Sequence, residues 1–307
     1  MDSKGGMNMD YVLRTEDLTK IYSKTKVVDG VSLCIRPGEI YGFVGKNGAG
    51  KTTFIRMVLG LAKKSGGIIS YFDGVSALAA RKRIGSLVEA PSFYPNMSAK
   101  ENIEIFCRMI GEDPKQSEEI LEKVGLGDTG KKKAGRFSLG MKQRLGIGFA
   151  LVGDPELLML DEPINGLDPT GIAEVRRLIL DLKNEHGKTI FISSHLISEL
   201  EKIATRYGVI AKGRLAEEIT AAELEEKCRS RTSVMTNKPE KAAELIRSFL
   251  NTDNITIKDD GAVLIGEKIE NIGAVTNELY KNDIVVSSIS TDEGAVEAYF
   301  IEKMEGG

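Results

Sequence analysis

From about position 12 to 219, short apolar runs alternate with segments of helical period. Positions 31–35 read as a strand that stops at Arg36-Pro37-Gly38-Glu39, a turn signal. Positions 40–44 form a second apolar strand, and 51–61 a helix that opens directly after a glycine-rich stretch. Positions 157–160 and 189–193 are unbroken apolar runs, the pattern of strands buried on both faces of a parallel sheet. Between these two, 171–185 has helical spacing. Strand, helix, strand in this order predicts an α/β class with a mainly parallel sheet and crossover helices.

The pattern changes near 219–231, a charged, helix-favouring stretch around Ala221-Ala222-Glu223-Leu224-Glu225-Glu226-Lys227. A boundary there divides the chain into a domain over 10–220 and a small α+β domain over 230–307. In the second, 232–236 reads as a strand and 239–250 as a helix with proline in its first turn. Strands at 255–258 and 262–265 bracket Asp259-Asp260-Gly261, a hairpin signal. A helix at 272–280, a strand at 284–288 and a last helix at 295–304 complete it. This part carries no chemical motif, so packing, dimerisation or regulation is expected of it.

A length of 307 residues suits about two domains. With 41% hydrophobic and 28% charged residues the composition is that of a soluble globular chain. A net charge of −3 argues against a general nucleic-acid binder, so no nucleic-acid partner is expected. Cys34, Cys107 and Cys228 are far apart and odd in number, which suggests isolated thiols and a reducing compartment. No run reaches the ~18–20 apolar residues of a membrane span, and 1–10 lacks the apolar core of a signal peptide. Work at a membrane would need another chain to hold this one there.

The strongest chemical signal is Gly45-Lys46-Asn47-Gly48-Ala49-Gly50-Lys51-Thr52, a G-x-x-x-x-G-K-[ST] loop between a strand and a helix. Its glycines let backbone N–H groups approach phosphates, and the helix N-terminus adds partial positive charge. Lys51 is suited to reach terminal phosphates, and Thr52 to offer its hydroxyl to magnesium. The run Leu157-Leu158-Met159-Leu160-Asp161-Glu162 delivers two carboxylates to a strand's C-terminal end, where open α/β sheets bind ligands. Asp161 fits a magnesium ligand and Glu162 a general base for water; without the loop upstream, the pair reads as a solvated strand end. In Phe137-Ser138-Leu139-Gly140-Met141-Lys142-Gln143-Arg144, Ser138 fits a helix cap, and the same helix start fits an anion site. His195 follows the 189–193 strand, where a neutral imidazole could bond a phosphate or be structural.

Taken in order, these four elements resemble the ATPase subunit of ATP-binding cassette (ABC) transporters, over about 12–219. The resemblance implies an ABC-type P-loop NTPase fold with an antiparallel β subdomain and a helical subdomain, binding ATP and Mg2+. It implies that Gly45, Asn47, Gly48, Gly50, Lys51, Thr52 and Thr53 hold the nucleotide and that Tyr22 stacks on adenine. Asp161 resembles the magnesium-side aspartate, Glu162 the catalytic base and His195 the γ-phosphate switch. Asp168, in Asn165-Gly166-Leu167-Asp168, belongs to a loop through which two cassettes communicate. The family pairs cassettes head to tail, so Ser138 and Gly140 would touch the other subunit's ATP and a homodimer is implied.

Two departures stand out. Only the serine and second glycine of the usual Leu-Ser-Gly-Gly-Gln signature are kept, at Ser138 and Gly140. Glu89 stands where the family places a glutamine, as a metal-side and catalytic residue that adds negative charge near the γ-phosphate. Both departures resemble exporters of bacitracin, lantibiotics and similar peptides. In them, the region after this loop, here Phe93, Tyr94 and Pro95, docks a membrane permease, which would place the chain on the cytoplasmic face of the membrane. A soluble ABC-type ATPase acting on ribosomes or DNA is the alternative.

Overall fold

The computed structural model describes residues 9–229, 231–266, 269, 271–292 and 296–306. They divide into two compact units, one running through Ala221 and resuming at Phe300, the other spanning Ala222–Tyr299.

The first unit contains β1 (Leu13–Tyr22), β2 (Thr25–Ile35), β3 (Ile40–Val44), α1 (Lys51–Val58), β4 (Gly66–Tyr71), α2 (Ala77–Arg81) and β5 (Ile84–Leu87). It continues with α3 (Ala99–Ile110), α4 (Gln116–Lys123), α5 (Leu139–Leu151), β6 (Leu157–Asp161), α6 (Pro169–Asn184) and β7 (Thr189–Ser194). Helix α7 (Ile197–Leu200) and strands β8 (Arg206–Ala211) and β9 (Arg214–Thr220) follow. Six strands form one sheet in the order β5-β6-β7-β3-β8-β9. All neighbours in it are parallel except the β8–β9 hairpin. A separate antiparallel sheet has the order β2-β1-β4. Every residue of β3, β6 and β7 is buried, which is why these strands read as mostly apolar runs. Tyr41, Phe43, Phe54 and Phe191 pack together at the core, with contacting ring centroids 5.1–5.8 Å apart. Helix α3 starts from a capping box in which the Ser98 amide and hydroxyl bond Glu101. Those bonds hold the Glu101 carboxyl below its ordinary pKa range.

The second unit runs α8 (Ala221–Lys227), β10 (Arg231–Thr236), α9 (Pro239–Leu250), β11 (Ile255–Ile257), β12 (Ala262–Ile265), α10 (Ile272–Lys281) and β13 (Val286–Asp292), with α8 starting at the boundary. Strand order β11-β12-β10-β13, all pairs antiparallel, gives a βαββαβ unit of ferredoxin-like topology. Gly261, at φ 82°, turns the β11–β12 hairpin. The strand expected at 284–288 lies instead at Val286–Asp292. The Ile284 amide is used at the end of α10, bonding the Leu279 carbonyl, and the Val285 amide bonds Asn237 Oδ1. The ladder with β10 therefore starts at Val286, opposite Thr236.

The final helix α11 (Val296–Gly306) departs from the sequence grouping of 230–307 as one body, since its residues from Phe300 cluster with the first unit; position 295, expected as its start, lies outside the described residues. Phe300 is fully buried, 5.3 Å from the Tyr207 ring. Phe300→Ala is expected to lower stability by about 3–5 kcal/mol in urea unfolding, the usual cost of emptying a buried aromatic site. A loss below about 1 kcal/mol would mean that the last turns of α11 contribute no core packing.

Candidate nucleotide site

The parallel register aligns the C-terminal ends of the central strands. Asp161 lies opposite Ser193, and Val44 opposite Ser194. The chain leaves β3 through the 45–50 loop and enters α1 at Lys51. Gly50 has φ 109°, and a Cβ there would sit 2.6 Å from the Val27 carbonyl oxygen. A Cβ at Gly45 would meet the Ile210 carbonyl oxygen at 2.6 Å. Both positions therefore require glycine. A cavity of about 210 Å3 lies against this loop, with Asn47, Gly48, Gly50, Lys51, Thr52 and Thr53 on its wall. Glu162 also lines it.

Lys51 is only 5% exposed. Its ammonium donates to the Gly45 carbonyl at 2.6 Å and lies 3.0 Å from Glu162 Oε1. Glu162 Oε1 is buried and makes this ion pair without a hydrogen bond of good direction. It is thus an acceptor oriented but not saturated. Glu162 Oε2 lies 2.9 Å from His195 Nδ1. An ionised carboxylate only accepts, so Nδ1 carries a hydrogen and donates it to Glu162. In this arrangement His195 orients Glu162, a different contact from the phosphate bond expected from the sequence. The Glu162 backbone has φ 49°, a left-handed conformation uncommon for a residue with a side chain.

Ser193 was not singled out in the sequence, yet it ties the Asp161 carboxylate to the Glu162 backbone. Its hydroxyl donates to Asp161 Oδ1 at 2.5 Å and accepts from the Glu162 amide at 3.0 Å. A hydroxyl ending a buried apolar strand beside the Asp161 strand was the available signal.

Five other expected residues lie apart from this cluster. Tyr22 ends β1 at the β1–β2 turn, 46% exposed, with the Lys20 ammonium 4.5 Å over its ring. Glu89, at φ 64°, is ion-paired with Arg56. Ser138 caps α5 by accepting from the Met141 amide at 3.2 Å, and Asp168 caps α6 from the Gly171 amide at 3.2 Å. A Cβ on Gly140 would lie 3.5 Å from Gly171 Cα, so the starts of α5 and α6 adjoin. Two helix N-termini side by side concentrate partial positive charge suited to an anion.

This chain is similar to known proteins along nearly its whole length. The ABC transporter family profile matches residues 28–165. The bacitracin transport ATP-binding protein BcrA of Bacillus licheniformis is 43% identical over 304 residues, covering 97% of this chain and 99% of that protein. The chain belongs to the ABC transporter ATP-binding family. The BcrA protein of Enterococcus faecalis is 40% identical, over 98% of this chain and 99% of its own length. The lantibiotic transport ATP-binding protein SrtF of Streptococcus pyogenes is 42% identical over 66% of this chain and 89% of its own. Among solved structures, an ATP-binding cassette of an ABC transporter in its ADP conformation superposes with a TM-score of 0.64 at 26% identity. That match covers 71% of this chain and 94% of the other. The ABC fold, with ATP binding and ATP hydrolysis as its chemistry, follows from this membership.

Proposed function

We propose that this chain is the ATP-hydrolysing subunit of an exporter for peptide antibiotics of the bacitracin and lantibiotic kind. It works as a homodimer on the cytoplasmic face of the membrane, driving a separate permease. Similarity to bacitracin transport proteins over nearly their whole length supports the cargo class. One structural observation carries the transport reading. An apolar cavity of about 340 Å3, lined by Phe93, Tyr94, Ile105, Phe106, Met109 and Phe149, opens beside the 88–95 loop. Tyr94 and Met109 stay 51% and 70% exposed, as befits a patch that another surface covers. Among the described residues no helix is long and apolar enough to cross a membrane. The alternative of a ribosome- or DNA-directed ATPase is disfavoured by the net charge of −3.

In the proposed cycle, phosphate at the loop takes Lys51 from Glu162. Glu162, still oriented by His195, then accepts a proton from the attacking water. Tyr22 stacks on adenine for about 1–3 kcal/mol. Ser138 and Gly140 face the nucleotide of the second copy. Thr52, Asp161 and Glu89 offer hydroxyl and carboxylate oxygens, the donors magnesium takes. The proposed cation is shared with substrate phosphates, the usual mode for magnesium. Such a cation neutralises phosphate charge during transfer.

The docking reading is tested by Tyr94→Ala in the full chain, expressed with its neighbouring permease. Co-purification from membranes is expected to fall about 30-fold or more, as for a central aromatic of an interface. Unchanged co-purification would overturn the docking site. Salt-sensitive association with RNA or DNA in its place would favour the alternative.

A further inference from the structure

Resting on that reading of the metal side of the site, we infer that Arg56 is a positioning residue for Glu89. It holds the carboxylate while no nucleotide is bound and releases it when a magnesium nucleotide arrives. Arg56 and Glu89 form a direct ion pair. Arg56 lies four residues after Thr52 in α1, so the two share one helix face with a rise of about 6 Å between them.

The strand register places Glu89 at the same edge. Leu87 pairs with Leu160, so β5 ends beside the strand that delivers Asp161 and Glu162. The segment after Glu89 is pinned at its far end. The Tyr94 amide donates to Asn102 Oδ1 at 2.7 Å, and Asn102 Nδ2 donates to the Tyr94 carbonyl at 3.1 Å. Asn102 is buried in α3. One end of the loop is thus fixed by neutral hydrogen bonds and the other by a charge pair.

The magnitudes allow exchange. Arg56 is 42% and Glu89 63% exposed, and an ion pair this open to solvent is weak. That is enough to set a resting position and too little to resist a divalent cation. A glutamine at 89 would bind Arg56 without the charge and would lack this competition. Glu89 therefore moves between Arg56 and the cation, and the loop bearing Phe93 and Tyr94 follows it. Nucleotide loading is in this way reported to the apolar cavity.

The chain has no tryptophan, so Phe93→Trp supplies a single reporter in the loop. With the full chain and ATP, emission is followed as magnesium is added from EDTA, and a fluorescent ATP analogue reports binding separately. R56A, and R56Q as a milder variant, should lower the half-saturating magnesium concentration about three- to fivefold. R56K should restore the parent value. In the E89Q background R56A should change nothing. An equal R56A shift with and without E89Q, or no shift at all, would overturn the inference. Failure of the F93W parent to bind ATP would overturn the site reading and this inference together. Normal ATP binding with an Arg56-independent response would overturn the inference alone.

Discussion

Lys51→Ala is expected to weaken ATP binding about 10- to 100-fold, the value of one charge-assisted hydrogen bond to phosphate. Hydrolysis should fall further, by about 10²–10³, because the ammonium also faces charge that develops in the transition state. The structure explains why nothing nearby substitutes. Lys51 is 5% exposed and already aimed by the Gly45 carbonyl at 2.6 Å, whereas Lys46 is engaged with Glu305 at 2.9 Å. Lys51→Arg is expected to fail as well, since a planar guanidinium does not fit where a compact ammonium meets a carbonyl and a carboxylate. Titration with a fluorescent ATP analogue and phosphate release from the full chain would measure both terms. Wild-type affinity in the alanine variant would refute the phosphate-loop assignment.

The parts of this arrangement that depend on local pattern were legible in the sequence. Ile40–Val44 and Leu157–Asp161 are buried throughout, so their apolar runs stood out without any structure. The loop glycines and Lys51 form a contiguous motif. What escaped reading depends on register or on contacts between distant segments. Ser193 bridges Asp161 and Glu162 only because β6 and β7 are neighbours in a fixed register. Arg56 finds Glu89 across 33 residues, and its one local cue was its place a turn after Thr52. Ile284 misled for a different reason. It is buried and β-branched, as a strand residue should be, but its amide closes the end of α10. Phe300 looked like part of the accessory domain because nothing in a periodic pattern says which of two cores a helix end enters.

Glu162→Gln is expected to lower hydrolysis by about 10²–10⁴, the range for losing a general base, with ATP affinity kept close to wild type. The substitution keeps the shape of the side chain and an oxygen that can still accept from His195 Nδ1, now at 2.9 Å from Oε2. It removes the negative charge beside Lys51, whose ammonium sits 3.0 Å from Oε1. Lys51 then has no competing carboxylate to leave, so ATP binding should be unimpaired or slightly tighter. In a head-to-tail homodimer, ATP that binds but is not hydrolysed holds the two copies together. Light scattering after gel filtration with magnesium and ATP should therefore find the Glu162→Gln chain as a dimer. The Lys51→Ala chain under the same conditions should stay monomeric. His195→Ala should fall between wild type and Glu162→Gln in turnover, because it frees the base without removing it. Turnover by the glutamine variant at the wild-type rate would place the base elsewhere. A slow variant that never dimerises would leave hydrolysis at Glu162 intact and refute the composite site built with Ser138 and Gly140.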